Sequence, residues 1–191
     1  MDKRNLDATK KALLDAAEKL MLECNDISQV TSRAITKEAG VNLAMINYCF
    51  GSREALIFEV FGKMQETASR CDDSFAEIIS GESTPLEKLI EVHCRTIKLM
   101  IENYTISKAV TKYVLINRAI SGRRGSLQFI QEHFGDRKTE GECRLIAYEL
   151  SSLHELAVLH HEEIKEVCGI DLKNDDELRA YVTAHVKKFL E

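Results

Sequence analysis

Helix breakers are scarce in this chain. Its 191 residues include one proline, Pro85, and nine glycines, a composition that points to an all-α protein. No apolar run approaches the ~20 residues needed to span a bilayer, which predicts no membrane association. The start, Met1-Asp2-Lys3-Arg4-Asn5, leads into a charged helical pattern with no apolar signal-peptide core. The six cysteines, at 24, 49, 71, 94, 143 and 168, lie 22 to 49 residues apart. There is no C-x-x-C and no tight Cys/His cluster, so zinc-ligand spacing is absent. These features predict a cytoplasmic protein with free thiols, no metal and no cofactor. Also missing are G-x-S-x-G, the P-loop, the dinucleotide-binding fingerprint and H-E-x-x-H. The carboxylates fall on helix surfaces. The chain therefore reads as something other than an enzyme.

What is present is a large apolar complement, 45 % of residues, enough for a real core in one large domain or a small domain fused to a larger one. The formal charge is −5, which argues against a protein that coats DNA generally. The sign is unevenly distributed. Residues 1–64 hold nine Lys/Arg against nine Asp/Glu, leaving 17 against 22 for the rest. The N-terminal part is the better candidate to meet phosphate, because affinity depends on where the cations sit.

The periodicity predicts a helix over about residues 7–24, with Leu13, Leu14, Ala17, Leu20 and Met21 on one face and Asn25 at its left-handed end. Thr31 is placed to cap a second helix, which Gly40 stops. Asn42 is placed to cap a third, from Leu43 to about Phe50, and Ser52 a fourth, through Leu56 and Phe61 to Met64. Residues 80–85 form the clearest loop, with Thr84 as cap and Pro85 at the first helical position. A helix follows with Leu89, Ile90, His93, Ile97, Met100 and Ile101 inward. Others are expected over about 106–120, over Leu127–Phe134, over about Glu142–Val167 and over about Asp175–Phe189. Arg123-Arg124, between two glycines, reads as a solvated turn. The 142–167 segment carries two apolar stripes, one of Ile146, Leu150, Leu153, Ala157, His160, Ile164 and Val167, the other of Leu145, Tyr148, Leu156 and Leu159. A helix with two stripes has two things to pack against.

The most informative stretch runs from Thr31 to Leu56: helix, glycine-containing turn, short helix. That is the pattern of a helix-turn-helix, in which the first helix crosses the DNA backbone and the second enters the major groove. Ala34, Ile35, Ala39, Val41, Ile46 and Phe50 supply its small core. Asn42, Leu43, Ala44, Met45, Asn47 and Tyr48 form the exposed face of the second helix.

Over about residues 6–61 this block resembles the N-terminal domain of the tetracycline-repressor (TetR) family. The resemblance is carried by Thr31 and Arg33, by Ala39-Gly40-Val41, by Asn47-Tyr48-x-Phe50 and by Gly51-Ser52-Arg53-Glu54-Ala55-Leu56. It implies a DNA-binding domain over residues 1–52, joined by a linking helix to a helical effector-binding and dimerisation domain over 53–191. It assigns Leu43, Ala44 and Met45 to base-facing positions, where they can pack on thymine methyls but make no bidentate contacts. It gives Arg33 to a base or phosphate, Thr31 to a phosphate, and Tyr48 and Arg53 to the DNA backbone, with Lys3, Arg4, Lys10 and Lys11 adding weak contacts. Cys49 and Asn47 depart from the family, which favours histidine or tyrosine at the first position and tyrosine at the second.

The resemblance further implies a homodimer, expected through Ile146, Leu150, Leu153, Ala157, His160, Val182, Val186 and Phe189. It implies a small-molecule effector among His93, Ile97, Met100, Tyr104, Tyr113, Phe129 and Phe134, although each of these also reads as core. The implied function is a repressor released from a palindromic operator. The alternative on the same fold is an architectural or division-linked DNA-binding factor that recruits a protein partner. His154, His160 and His161, with Glu155, Glu162 and Glu163, invite a metal reading. An interface histidine beside a solvated face is the simpler account. Cys49 invites a redox reading, against which a partly buried structural thiol is simpler.

Overall fold

The structure is a computed structural model that describes residues 3–23, 27–70, 80–117, 120 and 125–191. The expected cap at Asn25, the turn at Arg123-Arg124, Cys24, Cys71 and the side chains of Lys3 and Arg4 lie outside the described residues. The protein is all-α, with ten α-helices and no strand among the described residues. None of these helices is long and apolar enough to cross a membrane. Two compact units are present: Met1–Asp72 with Thr105–Ile116, and Asp73–Tyr104 with Asn117–Glu191.

The first unit contains α1 (Lys3–Glu23), a 3-10 turn (Ile27–Gln29), α2 (Ser32–Ala39), α3 (Ala44–Phe50), α4 (Arg53–Arg70) and most of α6 (Tyr104–Asn117). Of the apolar stripe expected on α1, Leu13, Leu14, Ala17 and Met21 lie inside with Ala16, whereas Leu20 is half-buried. Val30, Ile35 and Ile46 join them, and α4 adds Leu56, Ile57, Val60 and Phe61. Each such side chain, fully buried, contributes roughly 1.5–3 kcal/mol. The start of α4 is thus integral to this unit, whereas the sequence reading placed a boundary after residue 52.

The second unit contains α5 (Pro85–Glu102), α7 (Leu127–Phe134), α8 (Glu140–Leu159), α9 (His161–Cys168) and α10 (Asp175–Leu190). Thr84 closes a capping box with Glu87 ahead of Pro85, and Thr139 closes a second with Glu142; each satisfies two otherwise orphaned groups. Asn174 Oδ1 accepts from the backbone N–H groups of Asp176 and Glu177 at 3.0 and 3.1 Å.

The long helix expected to end near Val167 is instead two helices, broken at His160 (φ −110°, ψ 17°). The cause is side-chain capture of the last carbonyls of α8. His161 Nδ1 donates to Val158 O at 2.9 Å. Tyr104 donates its hydroxyl to Leu159 O at 3.0 Å and stacks edge-on against the His161 ring at 4.6 Å. Carbonyls satisfied in this way no longer need the next turn of helix.

Neither stripe expected on this segment is the one that turns inward: the buried face of α8 is Cys143, Ala147, Leu150, His154, Ala157 and Val158, which shares only Leu150 and Ala157 with the first stripe. Leu150, Ala157, Val182 and Val186, expected at a dimer interface, are therefore core residues of the protomer. With Leu150 and Val182 each 0 % exposed, neither has area left to offer a partner. Ile146, Leu153 and Phe189 are half-buried and His160 is exposed.

Candidate functional site

The helix-turn-helix is built from local hydrogen bonds. Thr31 Oγ1 accepts from Ala34 N at 3.1 Å, fixing the start of α2. At the other end Gly40 adopts φ 66°, a left-handed conformation that costs a residue with a Cβ roughly 1–2 kcal/mol. There the backbone reverses, with Gly40 N donating to Lys37 O at 3.3 Å and Val41 N to Thr36 O at 3.0 Å. Asn42 Oδ1 accepts from Ala44 N at 2.9 Å, which starts α3. Ser52 Oγ accepts from Ala55 N at 3.0 Å, which starts α4.

Ile46 is the one fully inward residue of α3. The opposite side is open: Leu43 is 47 % exposed and Tyr48 66 %, and Asn42, Ala44 and Asn47 are exposed beside them. Met45, expected on the same face, is turned part-way inward. Thr31 and Arg33, at the start of α2, are exposed. Lys19 of α1 pairs with Glu38 of α2 at 2.6 Å, and Lys10 lies 5.6 Å above the Phe50 ring. These exposed contacts position more than they stabilise. Cys49 is half-buried, and desolvation pushes its thiol pKa up against the opposing pull of Lys10. A protonated thiol is a poorer nucleophile than a thiolate, and among the described residues nothing around Cys49 other than Lys10 favours the thiolate.

Arg53 sits differently from its sequence assignment to the DNA backbone. Its Nε donates to Val30 O at 2.6 Å, its Nη2 to Ile27 O at 2.7 Å, and its Nη1 to Glu54 at 3.1 Å. The guanidinium clamps the turn before α2 to the start of α4, so three of its donors are spent inside the protein. Nothing in the local sequence signals this, because the carbonyls it reaches lie 23 and 26 residues earlier.

In the second unit, the residues assigned to an effector are mostly interior. His93, Ile97 and Met100 on α5 and Phe129 and Phe134 on α7 are buried, on two helices packed against each other. Tyr104 is half-buried on Leu159 O. Tyr113 falls in the first unit, 6.0 Å from Phe58, and so leaves the group.

The three histidines of the metal reading point to separate places. His154 is buried with Nδ1 2.9 Å from His93 Nδ1. His160 is exposed beside Glu163 at 2.9 Å, and His161 is buried on Val158 O. Among the described residues no three His, Cys, Asp or Glu side chains gather as metal ligands. The His93–His154 pair is flanked by Tyr181 and His185, whose rings lie 6.2 and 6.1 Å from that of His154. Desolvation lowers the pKa of both His93 and His154, His93 to about 4, so the pair is neutral. The expected solvated face therefore fails at His154 and His161, which are buried, and the expected interface histidine, His160, is the exposed one; only His93 falls on a stripe that the sequence marks as inward.

Taken together, the first unit presents a rigid short helix whose open face carries amide, phenol and apolar groups, with exposed cations on α1 and α2. Such a face suits reading the edges of bases in a groove. Residues 13–60 match the family model of the bacterial regulatory proteins of the tetR family. No curated protein matches the chain.

Proposed function

Because residues 13–60 are the N-terminal domain of a bacterial tetR-family regulatory protein, we propose that this DNA-binding regulator is a homodimeric repressor. It occupies a near-palindromic operator and leaves it when a small molecule binds the second unit. The observation that carries the reading is the open face of α3, held outward by the caps at Thr31 and Asn42 and by the inward anchor Ile46.

The dimer is supported by an apolar face of the second unit that the protomer leaves uncovered. Leu145 and Leu156 are each 46 % exposed on α8, with Tyr148 and Leu159 half-buried along the same side. Their steps of three, eight and three residues, eight being two steps of four, keep them on one side of the helix. Paired across a two-fold axis, two copies would set their α3 helices about one DNA turn apart, roughly 34–36 Å.

The effector is supported by the polar His93–His154 pair in the core of the second unit, where His93 Nε2 and His154 Nε2 have no hydrogen-bond partner among the described residues. Interior polar groups of this kind fix the orientation of a ligand among apolar walls. To release DNA the effector must prefer the non-binding conformation. Shifting a 1:99 population to 99:1 requires about 5.5 kcal/mol of differential affinity.

Fluorescence anisotropy on the DNA upstream of the protein's own gene, across a salt series with an unrelated duplex as control, tests the reading. A strong preference for the upstream DNA, lost in Tyr48→Ala and Arg33→Ala, is the expected result. Equal, weak, steeply salt-dependent binding to both duplexes would favour the architectural alternative. No binding by a folded dimer would remove the DNA-binding reading.

A further inference from the structure

Resting on that reading, the geometry points to a specificity: we infer that α3 selects A·T base pairs, with Asn47 reading adenine and Leu43 and Ala44 reading thymine methyl groups.

Several side chains of α3 and its flanks are unavailable to read bases. Asn42 spends its carboxamide oxygen on Ala44 N, so it caps the helix and does not offer a free donor–acceptor pair. Arg53 is engaged with the carbonyls of Val30 and Ile27. Ile46 is buried, and Met45, Cys49 and Phe50 are turned part-way inward. What remains on the open side is Leu43, Ala44, Asn47 and Tyr48. No lysine, arginine, aspartate or glutamate lies between Val41 and Ser52. The helix therefore has no side chain able to present two donors to guanine O6 and N7, or an anionic acceptor to cytosine N4.

Asn47 has no hydrogen-bond partner for its carboxamide among the described residues and is exposed. A carboxamide matches the major-groove edge of adenine, donating from Nδ2 to N7 while Oδ1 accepts from the N6 amino group. Against guanine, whose edge shows two acceptors, Oδ1 would face O6 with no proton between them. Leu43 stands four residues before Asn47, and side chains at that spacing are neighbours on a helix surface. An apolar group beside an adenine-reading amide meets the thymine C5-methyl, the feature that marks this pair in the major groove. Ala44, next to Leu43, is small enough to let a second methyl approach. Arg33 and Thr31 belong to α2, the helix that crosses the DNA backbone in this motif, and the A·T assignment concerns the side chains of α3 alone.

The test is selection of duplexes bound by the full chain from a randomised pool, followed by anisotropy on the winning duplex and its analogues. Half-sites with an A·T core are expected. Replacing the core thymines by deoxyuridine should weaken binding roughly fourfold per contacted methyl, an effect lost in Leu43→Ala. Replacing the contacted adenine by 7-deazaadenine, or its pair by G·C, should weaken binding on the order of 10- to 100-fold, an effect lost in Asn47→Ala. Both variants alter exposed residues, and circular dichroism checks that they stay folded. Enriched half-sites with a G·C core, or unchanged affinity for the deoxyuridine duplex, would overturn the inference while leaving DNA binding intact. A pool in which nothing is enriched would overturn the DNA-binding reading, and the inference with it.

Discussion

His93 and His154 meet Nδ1 to Nδ1 at 2.9 Å in the interior of the second unit, their rings edge-on with centroids 4.6 Å apart. One nitrogen must donate and the other accept, so the two neutral rings hold opposite tautomers. A proton added to either ring would be buried, and burial disfavours the charged form.

That arrangement sets a pH dependence. Burial lowers the folded pKa of His93 to about 4, from about 6.5 in the unfolded chain, and lowers that of His154 as well. Between these limits the unfolded state binds more protons, so stability is full above about pH 6.5 and falls as pH drops toward 4. His93 alone contributes a loss on the order of 3 kcal/mol across that window. Urea midpoints at pH 7.5 and pH 5 should differ accordingly, and the difference should shrink in His93→Phe. Equal midpoints in the unmodified protein would mean that the pair is not buried and neutral.

Arg53 offers a choice between a structural and a DNA-contacting role. Losing its bonds to Val30 O and Ile27 O in Arg53→Ala should cost about 2 kcal/mol, since hydrogen bonds involving a charged group are each worth roughly 1.5–3 kcal/mol and this side chain is partly solvated. Arg53→Lys should recover little, because one ammonium lacks the planar fork that spans two carbonyls. If Arg53 held a phosphate, its removal would lower the slope of log K against log salt by about 0.9. The expected slope is unchanged, measured on whatever fraction remains folded.

These two cases show which parts of the molecule were legible beforehand. Thr31, Asn42, Ser52 and Thr84 announce helix starts because a cap acts within three residues of itself. The helix-turn-helix, assembled almost wholly from such local signals, could be placed from the residues alone. The break at His160 could not, since it depends on Tyr104 reaching a carbonyl 55 residues later. Nor could the inward face of α8, which is rotated from both expected stripes to Cys143, Ala147, Leu150, His154 and Ala157. Packing against the other helices of the second unit decides which side turns inward.

Two buried threonines make opposite predictions. Thr36 Oγ1 donates to Ser32 O at 2.9 Å, whereas Thr111 Oγ1 is buried with no partner among the described residues. Thr36→Val removes a side-chain bond to a carbonyl of its own helix, at a cost of about 1 kcal/mol. Thr111→Val replaces an unpaired hydroxyl by a methyl of the same shape, and should leave the melting temperature unchanged or raise it by a few degrees. A substantial fall in Thr111→Val would mean that the hydroxyl has a partner after all, such as an ordered water.

The two stripes of α8 also separate assembly from folding. Leu156 is 46 % exposed and Leu150 is fully buried, six residues apart on the same helix. Leu156→Glu places a charge where the protomer needs none. It should leave the helical signal and unfolding midpoint of the protomer near those of the parent, yet halve the mass seen by sedimentation equilibrium, because a buried carboxylate lacking a cation opposes the dimer. Leu150→Glu puts the same charge into the core, where its desolvation exceeds what a marginally stable domain can tolerate, and should abolish folding at any concentration. Since two half-sites are needed for tight binding, the Leu156→Glu protein should also lose operator affinity while its helix-turn-helix stays intact. A Leu156→Glu chain that remained dimeric at micromolar concentration would move the interface off this stripe, to the half-buried Ile146, Leu153 and Phe189.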